Sequence, residues 1–62
     1  MIPVTMQKTI YGTERPIISL GLVKGRNILI KEGFAQCENP IYYQKENEYW
    51  HYSGLSKCWY KD

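Results

Sequence analysis

The sequence lacks a long hydrophobic run. A transmembrane helix needs about 20 consecutive, predominantly apolar residues, and the longest candidate stretch, residues 17–23, is interrupted by Ser19 and Gly21. The chain also lacks the basic segment followed by an apolar segment that marks a secretory signal peptide. We therefore expect a soluble protein that acts in the cytoplasm and does not contact a membrane.

Histidine and cysteine are scarce, and this limits catalysis and metal binding. His51 is the sole histidine, the cysteines are Cys37 and Cys58, and the sequence contains no CxxC or HxxxH motif. Structural zinc sites generally use closely spaced ligand pairs of that kind. Zinc held by these three residues is therefore a minor alternative, as is a catalytic Cys–His pair. In the cytosol both cysteines are expected to be reduced and partly buried, and the alternative is a disulfide that closes a loop of about 20 residues, worth around 3 kcal/mol.

Phosphate-binding motifs are absent from the sequence as well. No GxGxxG pattern occurs, and the segment "GLVKGRN" (residues 21–27) lacks the GxxxxGK[ST] spacing with which a P-loop wraps phosphates. The carboxylates of Glu46 and Glu48 flank a predicted turn, where they keep a hairpin tip solvated. We therefore expect no enzymatic activity, no catalytic residue, no bound metal and no cofactor.

Aromatic residues, by contrast, are abundant: the chain has two Trp, six Tyr and one Phe in 62 residues. A domain of this length buries only about 60% of the surface that its unfolded chain exposes, so its stability is marginal. Each aromatic side chain can bury roughly 150–250 Å². Most of the rings, including those of the final segment "NEYWHYSGLSKCWYKD", are therefore expected to form the core of a single domain spanning residues 1–62.

Alternation of apolar and polar residues with a period of two dominates the chain and predicts β-strands. It is clear in "IPVTMQKTI" (residues 2–10), and residues 17–32 are predicted to form a central hairpin with Gly25 and Arg26 at its tip. The predicted fold is a small all-β domain, an SH3-like or partly open barrel of about five to six short strands. The alternative is a small winged-helix α+β fold, with a helix from Arg26 to Phe34.

The segment "IYYQKENEYWHY" (residues 41–52) predicts a second, aromatic hairpin that turns at Glu46 and Asn47. In this register one face carries Ile41, Tyr43, Trp50 and Tyr52, and the other carries Tyr42, Gln44, Tyr49 and His51. The first face is expected to be core, because cross-strand aromatic pairs stabilise sheets. The second face is then left half exposed.

Charge is distributed unevenly along the chain. Residues 1–31 carry five basic residues and one acidic residue, for a net charge of +4, whereas residues 32–62 carry three basic and five acidic residues, for −2. A contiguous patch of exposed aromatic residues is typical of a binding site. The predicted partner-binding surface combines the exposed aromatic hairpin face with nearby basic residues, namely Lys24, Arg26, Lys31, Tyr42, Tyr49 and His51.

Exposed aromatic residues on small β-barrels serve two recurrent purposes. They anchor protein partners, where Tyr, Trp and Arg dominate the binding energy, or they stack unpaired bases. Because Glu46 and Glu48 stand beside the exposed tyrosines and repel phosphate, we expect a larger protein partner, which the chain inhibits or tethers. Binding of single-stranded or duplex nucleic acid is the alternative, and a homo-oligomeric structural accessory protein is the second alternative.

The length, the number of predicted strands and the aromatic hairpin resemble SH3-like small barrels in overall architecture. No motif ties the chain to one branch of these proteins, and a shared architecture does not determine function. Free-standing intracellular domains of this size often act by binding and blocking or tethering a larger protein, and proteins from phages and other mobile elements are often of this kind.

Overall fold

The computed structural model describes residues 2–62, which form a six-stranded antiparallel sheet with one helix against it. The strand order across the sheet is β1-β2-β6-β5-β4-β3, so β1 and β3 are its open edges. The prediction of a mostly β, partly open fold is confirmed, and the sheet does not close into a barrel. The elements in chain order are β1 (Thr5–Lys8), β2 (Glu14–Ile18), α1 (Gly21–Lys31), β3 (Ala35–Gln36), β4 (Tyr42–Lys45), β5 (Glu48–Ser53) and β6 (Cys58–Lys61).

Residues 21–31 form the helix α1, so the prediction of a central hairpin over residues 17–32 is wrong. The helix buries Gly25 and Leu29, which are about one helical turn apart and face the sheet. The β-branched residues Val23, Ile28 and Ile30 favour strands, but this preference is small and depends on context. Burial of the Gly25 and Leu29 face of the helix against the aromatic core outweighs it. The alternative prediction of a helix from Arg26 to Phe34 places the start of the helix more than one helical turn after its observed start at Gly21.

The C-terminal end of α1 is set by Gly33, which has a φ of 101°. The backbone N–H of Gly33 donates to the Ile30 carbonyl at 3.0 Å, and that of Phe34 donates to the Leu29 carbonyl at 2.9 Å. This pair of bonds is the Schellman arrangement, in which a left-handed residue, usually glycine, ends a helix. Phe34 and Leu29 also share one buried cluster, so packing fixes the direction of the chain after the helix.

The main core lies between α1 and the face of the sheet that the helix covers. Trp59 on β6 is 0% exposed, and its ring lies 5.5 Å from that of Tyr43 and 5.4 Å from that of Tyr52. The indole N–H of Trp59 donates to the Leu22 carbonyl at 3.3 Å. The helix approaches so closely that a Cβ added at Gly25 would collide with this indole. The buried members of the cluster are Ile18, Leu29, Phe34, Tyr43, Trp50 and Trp59.

The predicted aromatic hairpin is confirmed in its position and its register. β4 and β5 pair Tyr43 with Trp50 and Tyr42 with His51. Tyr43 and Trp50 are buried in the core, whereas Tyr42 and His51 point to the opposite face and are only half-buried. Within the turn, Glu46 adopts a positive φ of 55°.

The β1–β2 hairpin projects beyond the rest of the sheet. β2 pairs with β6 only through Ile17 and Ile18, whereas its pairing with β1 continues along its remaining length. The N–H of Thr9 donates to the Thr13 carbonyl across the hairpin at 2.7 Å. The backbone N–H and C=O groups of successive strand residues point alternately to the two neighbouring strands, so the backbone nitrogen of Pro16 points towards β6. Because proline has no N–H to donate there, pairing with β6 stops, and the outer part of the hairpin is a two-stranded ribbon.

Replacing Trp50 by Ala should strongly destabilise the domain, because this side chain is 2% exposed in the core. Truncating a buried Trp costs about 3–5 kcal/mol, which is comparable with the whole stability of so small a domain. Tyr49→Ala, on the opposite face and 40% exposed, should cost much less. Urea unfolding followed by circular dichroism measures both variants. The reverse ranking would mean that the β4–β5 register is shifted by one residue.

Gly25→Ala should also destabilise the domain, although Ala is normally the better helix former by about 1 kcal/mol. The added Cβ would overlap the buried indole of Trp59, and overpacking of this kind costs about 1–3 kcal/mol. Asn27→Ala, at an exposed position of the same helix, is the control and should be neutral or slightly stabilising. Equal gains in the free energy of unfolding for both variants would contradict the close contact between helix and indole.

Candidate binding surface

One face of the sheet carries no helix in the part of the chain that the structure describes. Strand residues alternate between faces, so the side chains next in sequence to Trp50 and Trp59 point away from α1. The strand register aligns five of these positions in a row across the sheet: Tyr42, His51, Tyr60, Ile17 and Thr5. We call this side the open face, and its members are Thr5, Gln7, Arg15, Ile17, Ala35, Tyr42, Gln44, Tyr49, His51, Ser53, Cys58 and Tyr60.

Three rings of the open face, which we call the ring ladder, stack on one another across adjacent strands. Tyr42 and His51 have ring centroids 5.5 Å apart with 21° between their planes, and His51 and Tyr60 are 5.9 Å apart at 25°. Arg15 ends the row, with its guanidinium carbon 4.1 Å from the Tyr60 ring centroid, a cation–π contact. Because the rings stack on one another and Arg15 covers Tyr60, the faces of the ladder rings are largely occupied within the protein.

Packing beside the ladder, on the same face of the sheet, fixes its position. Ile17, Cys58 and Tyr60 form a second buried cluster, separate from the main core. The Tyr60 hydroxyl also lies 2.6 Å from the hydroxyl of Ser56, within hydrogen-bond distance. Tyr60 is therefore held at both its ring and its polar end, and it provides a fixed surface for the His51 ring stacked on it.

His51 also contacts a carboxylate. Its Nδ1 lies 2.8 Å from Oδ1 of Asp62, and the backbone N–H of Asp62 donates to the Tyr49 carbonyl at 2.9 Å. The geometry at Nδ1 is not that of a hydrogen bond, and the contact is an ion pair only when the imidazole is protonated. The two side chains are 26% and 45% exposed, so solvent screens their attraction. The effect of Asp62 is to place a carboxylate beside the ladder.

Tyr49 is the aromatic residue of the open face with the largest exposed fraction, 40%. The side-chain amide of Gln44 donates to its hydroxyl at 2.9 Å and to the Glu46 carbonyl at 3.1 Å. These bonds position the phenol while much of its ring remains in contact with solvent. Tyr49 therefore supplies the accessible apolar surface that the stacked ladder itself offers only in part.

The structure brings together only half of the predicted binding residues. Three lie on the open face, as the register predicted: Tyr42, Tyr49 and His51. The other three lie on α1, on the opposite side of the sheet: Lys24, Arg26 and Lys31. The expectation that all six share one surface is therefore wrong. The cause is the helix over residues 21–31, which takes the basic residues to the covered face.

Sequence reasoning missed Arg15, Tyr60 and Asp62 as members of this surface or its border. Alternation within the last strand could have identified Tyr60, since its neighbour Trp59 faces the core. Arg15 gave no local signal, because its contact with Tyr60 depends on the pairing of β2 with β6, which are far apart in sequence.

The charges near the exposed tyrosines also differ from the expectation. Glu48 shares the covered side of β5 with Trp50 and pairs with Lys61, with Nζ and Oε1 3.1 Å apart. Its charge is thus compensated and lies on the other side of the sheet from Tyr49. Asp62, rather than Glu48, is the carboxylate beside the aromatic rings.

The two cysteines, both free thiols, should differ in reactivity, and this difference reports on the cluster of Ile17, Cys58 and Tyr60. Cys58 is 7% exposed, with its sulfur 3.2 Å from the Ser56 carbonyl oxygen, whereas Cys37 is only partly buried. Because reaction requires access to the sulfur, we expect one fast-reacting thiol per native chain with an aromatic disulfide reagent, and two in urea. Cys37→Ser should abolish the fast reaction. Fast modification of Cys58 in the folded protein would show that the cluster opens readily.

Comparison with known proteins finds no matching family model, no similar curated protein and no similar solved structure. Within residues 2–62 no helix is long and apolar enough to cross a membrane. The same residues contain no surface pocket and no group of three or more His, Cys, Asp or Glu side chains placed to hold a metal ion. The function must therefore be inferred from the chemistry of the open face and the helix.

Proposed function

We propose that the chain is a non-catalytic binding protein that attaches to a larger protein through its open face and thereby inhibits or tethers it. The ring ladder carries this proposal, because three stacked rings and Arg15 occupy a sheet face that no helix covers among the described residues. Tyr and Arg are among the residues that dominate the binding energy of protein interfaces. Rings already held by stacking lose little conformational freedom on binding, and this favours affinity. We propose the cytosol as the compartment, since both cysteines are free thiols.

The polar groups of the open face suit the mixed chemistry of a protein surface. The hydroxyls of Tyr42 and Tyr49 and the amide of Gln44 can both donate and accept hydrogen bonds. Arg15 and Asp62 carry opposite charges, so the surface has no strong field of one sign. Protein interfaces combine an aromatic centre with a polar rim in this way.

Nucleic acid fits the open face less well. Proteins that bind single strands stack the bases on free ring faces and follow the phosphates with cations. Here the ring faces are largely occupied by each other and by Arg15. In addition, the carboxylate of Asp62 next to His51 repels phosphate. These two features favour a protein partner at this face.

Phosphate binding by α1 is the second candidate function. The segment 21–31 contains three cations, from Lys24, Arg26 and Lys31, and no acidic residue. A basic helix of this kind can follow the backbone of a nucleic acid. However, Val23 and Ile30 are 57% and 52% exposed on the same helix. The surface of α1 is thus partly apolar, and we rank this candidate below the open face.

The test begins with capture from the native host, with and without nuclease, followed by purification of the recovered partner and measurement of Kd. Tyr49→Ala and Arg15→Ala should each weaken binding by about tenfold or more, because Tyr49 is 40% exposed on the open face and Arg15 ends the ring ladder there. The matched control combines Lys24→Ala with Lys31→Ala on α1. It should change Kd by less than about twofold.

Salt separates the two candidates in the same assay. Binding through the open face should weaken only slightly from about 50 to 200 mM salt, because apolar burial is not screened. Contacts with several phosphates would weaken by orders of magnitude over this range. Steep salt dependence with loss of binding in the α1 control would favour the second candidate. Self-association through the open face without any partner would contradict both.

A further inference from the structure

The tip of the β1–β2 hairpin combines a well-fixed backbone with two apolar side chains in water. Ile10 and Tyr11 are 92% and 85% exposed. The N–H of Gly12 donates to the Thr9 carbonyl at 3.0 Å, and the N–H of Thr9 donates to the Thr13 carbonyl at 2.7 Å. Since Gly12 has a φ of 83°, this is a type I turn followed by a left-handed residue, a common hairpin connection.

Threonine side chains strengthen the tip further. The hydroxyls of Thr9 and Thr13 lie 2.7 Å apart, and the backbone N–H of Tyr11 donates to the Thr9 hydroxyl at 3.3 Å. The turn is therefore held by Thr9, Gly12 and Thr13. None of these bonds uses the side chain of Ile10 or Tyr11, so the conformation of the tip does not depend on what those side chains are.

Ile10 and Tyr11 occupy the two central turn positions against the usual preference. Turns are dominated by Gly, Pro, Asn, Asp and Ser, and a type I turn favours Pro at the first central position and Asp, Asn or Ser at the residue just before it, whereas β-branched and aromatic residues favour strands. Burial does not explain the choice, because both side chains are almost fully in water. A departure from local rules without a gain in stability is typical of a functional position.

We infer that this tip is an anchor that inserts into a concave apolar pocket of the larger protein, and the inference rests on the function proposed above. The ribbon projects past Pro16, where its pairing with β6 stops, so the tip is convex and fits a cavity better than a flat surface. Gln7 and Arg15 of the same ribbon belong to the open face. The tip and the open face can therefore contact one partner together, with the tip at one end of the contact.

The surroundings of the tip indicate what the pocket is like. Lys8 and Glu14 are cross-strand partners directly behind the turn, and their opposite charges compensate each other. Binding of the tip is therefore driven by burial of Ile10 and of the Tyr11 ring, with one hydrogen bond available to the phenol hydroxyl. An anchor for an anionic membrane would instead need several basic flanking residues, and Glu14 works against it.

The first experiment uses the full chain with a photo-crosslinking benzophenone side chain in place of Tyr11, exposed to a lysate of the native host. The control carries the same group in place of Leu55, which is 101% exposed in the β5–β6 connection at the opposite end of the sheet. We expect a discrete protein adduct from position 11 and the crosslinked partner residues to line an apolar pocket. No adduct beyond that of the control would overturn the inference.

The second experiment measures Kd between the partner identified by that adduct and the double variant Ile10→Ser/Tyr11→Asn. We expect binding to weaken by about 100-fold or more. The thermal midpoint should stay equal or rise slightly, because Ser and Asn suit the turn. Leu55→Ser, the matched loss of one exposed apolar side chain, should change Kd by less than about twofold. A double variant that binds within about threefold of the parent chain would overturn the anchor.

The outcomes separate the anchor from the open-face function. Loss of affinity in Tyr49→Ala but not in the double variant would overturn the anchor and leave the open-face function intact. Loss in the double variant alone would support the anchor and contradict the open face as the binding site. The parent chain and the double variant are also sedimented with phosphatidylcholine–phosphatidylglycerol vesicles. If the parent chain binds the vesicles and the double variant does not, the tip binds a lipid surface and the proposed protein pocket is overturned.

Discussion

The close approach of α1 to the indole of Trp59 is the contact on which the rest of the structure depends. An isolated helix of 11 residues is too short to be stable in water, so tertiary packing must hold it. Gly25 permits the approach because it has no side chain, and the bond from the indole N–H to the Leu22 carbonyl holds the helix in place. With α1 fixed there, Leu29 and Phe34 complete the core, and the opposite face of the sheet is left uncovered.

The central position of β6 explains how so small a domain obtains enough buried surface. Cys58, Trp59 and Tyr60 are consecutive and all buried, although their side chains alternate between the two faces. Trp59 serves the core below α1, and Tyr60 serves the second cluster and the ring ladder. The open face, which we propose as a binding surface, therefore also contributes to stability. Its residues are consequently less free to vary than those of an ordinary exposed sheet.

The sequence predicted local features well and long-range ones poorly. The β4–β5 register could be derived because two adjacent strands and a short turn contain all the information, and a shift by one would place Trp50 in water. Residues 21–31 were misassigned because their β-branched side chains are compatible with a strand. What makes them helical is the indole of Trp59, which lies far along the chain. The same local information placed Tyr42, Tyr49 and His51 on one face. Arg15 was missed because its contact with Tyr60 depends on pairing between strands that are far apart in sequence.

β6 also determines when the protein can fold during its synthesis. It is the only strand of the described sheet that joins the β1–β2 ribbon to the β5, β4 and β3 side, and the ribosome makes it after the other five. While residues 58–61 remain in the exit tunnel, the emerged chain can form at most two fragments, each with an unpaired strand edge and exposed apolar side chains. Such edges and apolar surfaces promote aggregation of nascent chains. The aromatic core therefore assembles late, when the sixth strand leaves the tunnel and joins both fragments.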